Sequence, residues 1–138
     1  MSAFENPPDT TIREILATPR TIAVVGCSPD ADRDSYRIAA LLKAKGHTVI
    51  PVNPSCQEIL GERCYASVRD IPTPVEMVDV FRRPEFVDPI ADEAIAVGAK
   101  VLWLQLDVIN EPAARKAQAA GLTVVMDRCP AIEYRRLF

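Results

Sequence analysis

The stretch Thr21-Ile22-Ala23-Val24-Val25-Gly26-Cys27-Ser28 decides the fold. Five residues of strand-forming, largely apolar character run into a glycine. Small polar residues follow, and a helical pattern starts at Ser35. This is the form of a strand buried on both faces of a parallel sheet, feeding a tight turn and then a helix. In an open α/β sheet, ligands bind in the crevice at the carboxyl ends of such strands. Gly26 lets the backbone turn there, and the N-terminus of the following helix offers free N–H groups to a phosphate.

Outward from this stretch the chain alternates regularly. The helix after it runs from Ser35 to Lys45, with Ile38, Leu41 and Leu42 spaced for burial and Gly46 as its stop. Ahead of it, Asp9 or Thr10 caps a short helix carrying Ile12, Ile15 and Leu16 on one face, with Pro19 closing it. Residues 1–8 form a loose arm. The second strand is His47–Val52, and because Pro51 cannot donate to a ladder, its pairing is expected to end near Ile50. Residues 53–74 are irregular, with a turn at Gly61 and a one-turn helix with a capping box at Ser67-Val68-Arg69-Asp70. The third strand is Val75–Phe81, and Pro84 opens a helix that Gly98 stops. Lys100–Leu106 is the fourth strand, Glu111–Ala120 a further helix, and Leu122–Met126 the fifth strand. The tail Cys129–Phe138 adds a short terminal element.

Strands alternating with helices require parallel pairing through right-handed crossovers. The expected fold is α/β: a single domain built as a three-layer, Rossmann-like, open parallel five-stranded sheet. The order 3-2-1-4-5 would place the first strand in the centre beside the switch point. The crevice would then be lined by Gly26-Cys27-Ser28, Val52-Asn53-Pro54, Phe81-Arg82-Arg83 and Gln105-Leu106-Asp107.

Composition sets the outer bounds. A chain of 138 residues with 49% hydrophobic and 25% charged content fits one soluble domain. A net charge of −3 argues against a nucleic-acid surface, and no apolar run approaches a membrane span. The first residues lack the form of a signal peptide. The four cysteines, 27, 56, 64 and 129, contain no CxxC pair, and with one histidine a zinc site is not expected. Reduced thiols place the protein in the cytoplasm.

A nicotinamide dinucleotide site would require G-x-G-x-x-G after the first strand, and an acid at the end of the second to hold the ribose hydroxyls. The chain offers Gly26-Cys27-Ser28-Pro29-Asp30-Ala31 and the neutral Asn53. The crevice therefore reads as a nucleotide site not tuned for NAD. Arg82 and Arg83 lie beside the positive end of a helix dipole, where cations are disfavoured. Either an anionic ligand comes to them, or Glu85 and Asp88 neutralise them in a solvated cluster. Arg33, ahead of the first crossover helix, poses the same choice, and arginines from two separate loops favour a polyphosphate. Cys27 is read as a small residue allowing close approach, since no base lies near it in sequence. Cys129 is either a redox-sensitive thiol or a packed, inert one. Trp103 is read as core. His47 opens the second strand at the amino edge, opposite the crevice.

Several runs together carry a family resemblance: Ala23–Ser28, Arg33-x-Ser35-Tyr36, Pro51–Pro54, Asp79–Pro84, Gly98–Gln105 and Val124–Pro130. In this order they resemble the small stand-alone CoA-binding proteins, which are similar to the CoA-binding domain of the succinyl-CoA synthetase α subunit. The resemblance spans about residues 10–135 and implies a module that binds coenzyme A or acyl-CoA without catalysis of its own. It implies contacts from Gly26, Cys27 and Ser28, from Arg33, Ser35 and Tyr36, from Val52, Asn53 and Pro54 around the adenosine, and from Phe81, Arg82, Arg83 and Gln105 along the cofactor. Asp107 departs from the pattern, standing where a glycine or another small residue is expected. The alternatives are an NAD(P)-binding oxidoreductase or a detached acyl-CoA synthetase subunit. A homodimer or a protein partner stays open.

Overall fold

The apolar runs pair in parallel because each is followed by a segment long enough to cross back over the sheet. The computed structural model describes residues 4–138. Its main sheet contains β1 (Thr21–Val25), β2 (Thr48–Val52), β5 (Met77–Val80), β6 (Val101–Leu104) and β7 (Thr123–Val125), and a hairpin is formed by β3 (Glu58–Ile59) and β4 (Glu62–Arg63). The helices are α1 (Asp9–Ala17), α2 (Asp34–Ala44), α3 (Val87–Ala96), α4 (Glu111–Ala119) and α5 (Pro130–Leu137).

The five long strands lie in the order β2-β1-β5-β6-β7, all parallel. Numbering those strands along the chain, this is 2-1-3-4-5, which corrects the expected 3-2-1-4-5. Pro51 supplies the physical reason. Its carbonyl accepts from Tyr65 N–H at 3.1 Å on the outer side of β2, so its missing N–H faces the sheet edge. In the expected order β2 would be internal and would lose a ladder bond there. As an edge strand it loses none, and pairing with β1 continues to Val25↔Val52, past the expected end at Ile50. The switch point therefore falls between β1 and β5.

Successive side chains leave the sheet on opposite faces. Ala23, Val25, Val78, Val80, Leu102 and Leu104 pack beneath α3 and α4. Ile22, Val24, Met77, Val101 and Trp103 pack against α1, α2 and α5, completing the three layers. Trp103 is fully buried, and its Nε1–H donates to Arg128 carbonyl at 2.9 Å.

Two further expectations change. Pro8, not Asp9 or Thr10, stands at the N-cap of α1, and Asp9 occupies its first turn. Of the expected loose arm 1–8, residues 1–3 lie outside the described residues, and residues 4–8 are tied down. Asn6 Nδ2 donates to Met126 carbonyl at 2.9 Å, while Met126 N–H donates to Asn6 Oδ1 at 2.7 Å. A polar side chain thus imitates a strand partner beyond β7.

Candidate functional site

Two adjoining hollows open at the carboxyl edge of the sheet. The smaller, about 450 Å³, is lined by Gly26, Ser28, Asp32, Arg33, Asp34, Ser35 and Phe81. It lies at the switch point, where Gly26 follows β1 and Phe81 follows β5. Gly26 N–H donates to Val52 carbonyl and Phe81 N–H to Val25 carbonyl, so the ladder extends to the rim of the hollow. Gly26 adopts φ +83°. The loop beyond is fixed by its own polar side chains. Ser28 N–H donates to Ser35 Oγ at 2.9 Å, Asp30 N–H to Ser28 Oγ at 3.0 Å, and Asp32 N–H to Asp30 Oδ1 at 2.9 Å. No side chain caps α2 at Arg33, which leaves the first-turn N–H groups of the helix available to an anion.

The larger hollow, a cleft of about 760 Å³, shares Phe81 and Asp34 with the first and runs between α2, α5 and the ends of β5 and β6. Its walls are largely apolar, with Ile38, Leu41, Leu106, Val108 and Ile132 among them. Arg37, Arg82, Arg83 and Arg135 also line it, against the carboxylates of Asp34 and Asp107. Cationic groups around an apolar channel suit a long ligand with an anionic end.

Among the described residues, none of the ion pairs involves Arg33, Arg82 or Arg83. Asp88, one of the acids expected to neutralise them, is engaged by Lys116 Nζ at 2.6 Å. Arg82 and Arg83 instead stand over the Phe86 ring, at 4.5 and 5.6 Å from its centroid. The ring contact leaves both guanidinium charges at the cleft without a carboxylate ion pair among the described residues, available to an anion.

The sequence-chosen residues divide into three groups. Gly26, Ser28, Arg33, Ser35, Phe81, Arg82, Arg83 and Gln105 line the hollows. Cys27 and Val52 turn their side chains into the core, so only their backbones face the edge. Burial pushes the Cys27 thiol up to about 12, with Cys64, Asp79 and Cys56 adding to the rise. That state is unreactive at neutral pH. Tyr36 is half-buried against the α2 side of the core and Pro54 is exposed; neither lines a hollow. Asn53 spends both ends of its amide on the backbone, Nδ2 donating to Cys27 carbonyl at 2.9 Å and Oδ1 accepting from Ser55 N–H at 2.8 Å. It therefore braces the ends of β1 and β2 against each other.

Asp107 stands at φ +65°, in the left-handed region. That is the backbone reason a small residue is expected there. Aspartate is among the few side chains that tolerate it, and Asp107 N–H is held by Asp127 Oδ1 at 2.8 Å.

The sequence reading singles out Cys129 as a thiol but not the far wall of the cleft to which it belongs, which Ala131, Ile132 and Arg135 of α5 complete. Pro130 at the first helical position was the available signal. Asp79 also escaped it. Its carboxyl is fully buried with neither oxygen hydrogen-bonded among the described residues, and desolvation raises its pKa well above the usual carboxylate value. His47 lies at the amino edge, as expected. It is buried, with Nδ1 accepting from Arg20 N–H at 3.0 Å and Nε2 2.9 Å from Tyr134 Oη.

Residues 20–135 match the family model for the CoA binding domain. The chain belongs to that family. It is similar to the Bacillus subtilis (strain 168) protein YneT, 38% identical over 126 residues that span 91% of this chain and 93% of YneT. A structure of a hypothetical protein from Pyrococcus horikoshii OT3 superposes with a TM-score of 0.91 at 41% identity, covering 99% of both chains. The acetate–CoA ligase (ADP-forming) II of Archaeoglobus fulgidus is 32% identical over 96 residues, which span 67% of this chain and 14% of the ligase. The domain is thus homologous to the CoA-binding region of a much larger enzyme. No helix among the described residues is long and apolar enough to cross a membrane.

Proposed function

We propose that this domain binds coenzyme A or an acyl-CoA across the carboxyl edge of its sheet, as a ligand-holding module in the cytoplasm. The observation that carries this reading is the continuity of the two hollows through Phe81. The phosphates rest on the backbone of Gly26–Ser28, on the start of α2 and on Arg33. The adenosine lies toward Val52–Pro54, at the end of the edge strand. The pantetheine arm passes Phe81, Arg82 and Arg83 and enters the apolar cleft by Gln105.

Neither His47 nor Cys27 is placed to act on a ligand in the cleft. His47 is at the opposite edge of the sheet with both ring nitrogens engaged, and the Cys27 thiol is buried and protonated. A nicotinamide dinucleotide fits less well because Asn53, where an acid would hold the ribose hydroxyls, is committed to backbone groups.

The test is thermal melting with coenzyme A, dephospho-CoA and NAD side by side. A ligand at about a hundred times its dissociation constant adds roughly 2.7 kcal/mol to native stability. At roughly 3–4 °C per kcal/mol for a domain of this size, coenzyme A is expected to raise Tm by about 8–11 °C. The same concentration of NAD is expected to give little. A flat response to coenzyme A up to millimolar concentration overturns the reading.

A further inference from the structure

Cys129 occupies the N-cap position of α5, is half-buried, and lines the apolar cleft. Its place is fixed on both sides. Arg128 carbonyl accepts from Trp103 Nε1–H at 2.9 Å, and Cys129 carbonyl accepts from Glu133 N–H at 3.0 Å. Gln105 lines the same cleft from the end of β6. It is 6% exposed, and its Oε1 has no hydrogen-bond partner among the described residues. A buried amide oxygen left without a donor is costly, so Gln105 marks a point where a ligand N–H is wanted. The pantetheine arm of coenzyme A carries amide N–H groups and ends in a thiol.

The strand order gives the direction. Along the edge run the ends of β2, β1, β5, β6 and β7 in turn. A ligand with its phosphates at the start of α2 and its arm past Phe81 is led over the end of β6, toward the segment that follows β7. Cys129 stands in that segment. The other thiols lie elsewhere: Cys27 and Cys64 are buried in the core, and Cys56 lines neither hollow.

We propose that Cys129 is a site of mixed-disulfide formation with coenzyme A, the ligand's own binding delivering its sulfur to the protein thiol. The inference rests on the coenzyme A reading of the site. In the reaction the Cys129 thiol loses its proton to water and its sulfur attacks one sulfur of coenzyme A disulfide. A protein–CoA S–S bond forms, the S–S bond of the reagent breaks, and the second coenzyme A leaves as its thiolate. The number of disulfides is unchanged, and the oxidising equivalent comes from the reagent. Reduction by a free thiol reverses the step.

The experiment treats the full chain with coenzyme A disulfide and, in parallel, with glutathione disulfide, following intact mass and then mapping the modified peptide. A bound reagent presents its disulfide at millimolar effective concentration, so with about 10 μM reagent the CoA adduct is expected to form roughly a hundred times faster than the glutathione adduct. The adduct is expected on Cys129, to be lost in Cys129→Ser, and to be slowed by saturating desulfo-CoA. Equal rates with the two reagents, or modification of Cys56 instead, would show ordinary thiol accessibility and overturn the proposal. Melting of the reduced protein with coenzyme A separates the two readings. A thermal shift without an adduct refutes the disulfide alone, whereas neither shift nor adduct refutes the binding reading and this proposal with it.

Discussion

A Cβ atom at Gly26 would lie 2.5 Å from the carbonyl oxygen of Phe81 and 3.0 Å from Arg82 Cδ. The ends of β1 and β5 approach so closely at the switch point that only a residue without a side chain fits, and φ +83° excludes others on conformational grounds too. Gly26→Ala is therefore expected to combine overpacking against backbone with left-handed strain. Together these cost about 3 kcal/mol, a Tm loss of roughly 10 °C. Gly121 supplies the control, since it has φ +99° but nothing within 4 Å of an added Cβ. Gly121→Ala should show only the conformational part, about 1 kcal/mol. Equal losses in the two variants would mean that the close approach contributes nothing.

Arg33 and Arg82 are exposed and take part in none of the ion pairs among the described residues, so removing them should leave the unliganded domain nearly as stable as before. Each charge-assisted contact to phosphate contributes roughly 1.5–3 kcal/mol. Arg33→Ala and Arg82→Ala are expected to weaken coenzyme A binding by about ten- to a hundred-fold, read by calorimetry at fixed salt. Wild-type affinity in both variants would return these arginines to ordinary surface roles.

His47 gives the fold a sensitivity to mild acid. Its Nδ1 accepts from Arg20 N–H, and Tyr134 Oη, 2.9 Å from Nε2, itself donates to Leu16 carbonyl at 3.0 Å. This arrangement needs the neutral ring protonated on Nε2. Protonating Nδ1 would set its hydrogen against the Arg20 N–H, and burial lowers the His47 pKa from 6.5. The unfolded chain then takes up a proton below about pH 6.5 that the folded chain refuses. This contribution to stability is complete above pH 6.5 and lost as pH falls toward the lowered value. Melting between pH 7.5 and 5.5 should slope downward toward acid, and His47→Gln should flatten the slope while lowering Tm at pH 7.5. An unchanged slope in the variant would remove His47 as its cause.

Asp79 works in the opposite sense. A fully buried carboxyl without partners keeps its proton in the folded state to a higher pH than in the unfolded one. Between the ordinary carboxylate range and its raised value, folding takes up a proton, so stability falls as pH rises. The isosteric Asp79→Asn cannot ionise. It is expected to gain in Tm relative to the wild type at pH 8 and to gain less at pH 5. A constant difference across that range would mean that Asp79 does not titrate with folding.

Much of this architecture is legible in the chain because the strands are apolar runs, and Gly46, Gly98 and Gly121 stop α2, α3 and α4, each of which shows its buried stripe. What escaped was information that depends on neighbours. Pro51 in the sequence predicts only an early end to pairing, and its place on an edge strand appears once Tyr65 is seen on the outer side of β2. The hairpin β3–β4 is built from two-residue strands, Glu58–Ile59 and Glu62–Arg63, too short to show alternation. Leu60 at its turn adopts φ +55°, which a leucine does not advertise. The arginines and Phe81 were found because strand ends are predictable places. The opposite wall of the cleft was not, because which helix closes it is a matter of tertiary packing.

Asp107 provides the sharpest test of the site, because two properties of one residue can be separated there. Its φ of +65° favours glycine, and its carboxylate sits on the wall of a cleft that also holds Arg37, Arg82, Arg83 and Arg135. Asparagine tolerates the left-handed backbone as aspartate does and removes only the charge. Glycine removes the charge and also the strain, although it gains freedom in the unfolded chain, so its net effect on stability should stay within about 1 kcal/mol. A unit charge several ångströms from a phosphate in a solvent-exposed cleft is worth about 0.5–1 kcal/mol. Both Asp107→Asn and Asp107→Gly are thus expected to tighten coenzyme A binding by roughly two- to five-fold at low salt, with the gain fading as the ionic strength rises. Dephospho-CoA, run beside coenzyme A, shows whether the gain follows the ribose phosphate or the diphosphate. Tightening by glycine alone would assign the effect to the backbone. An unchanged affinity in both variants would mean that the ligand's charges pass elsewhere, and the path past Phe81 into this cleft would have to be redrawn.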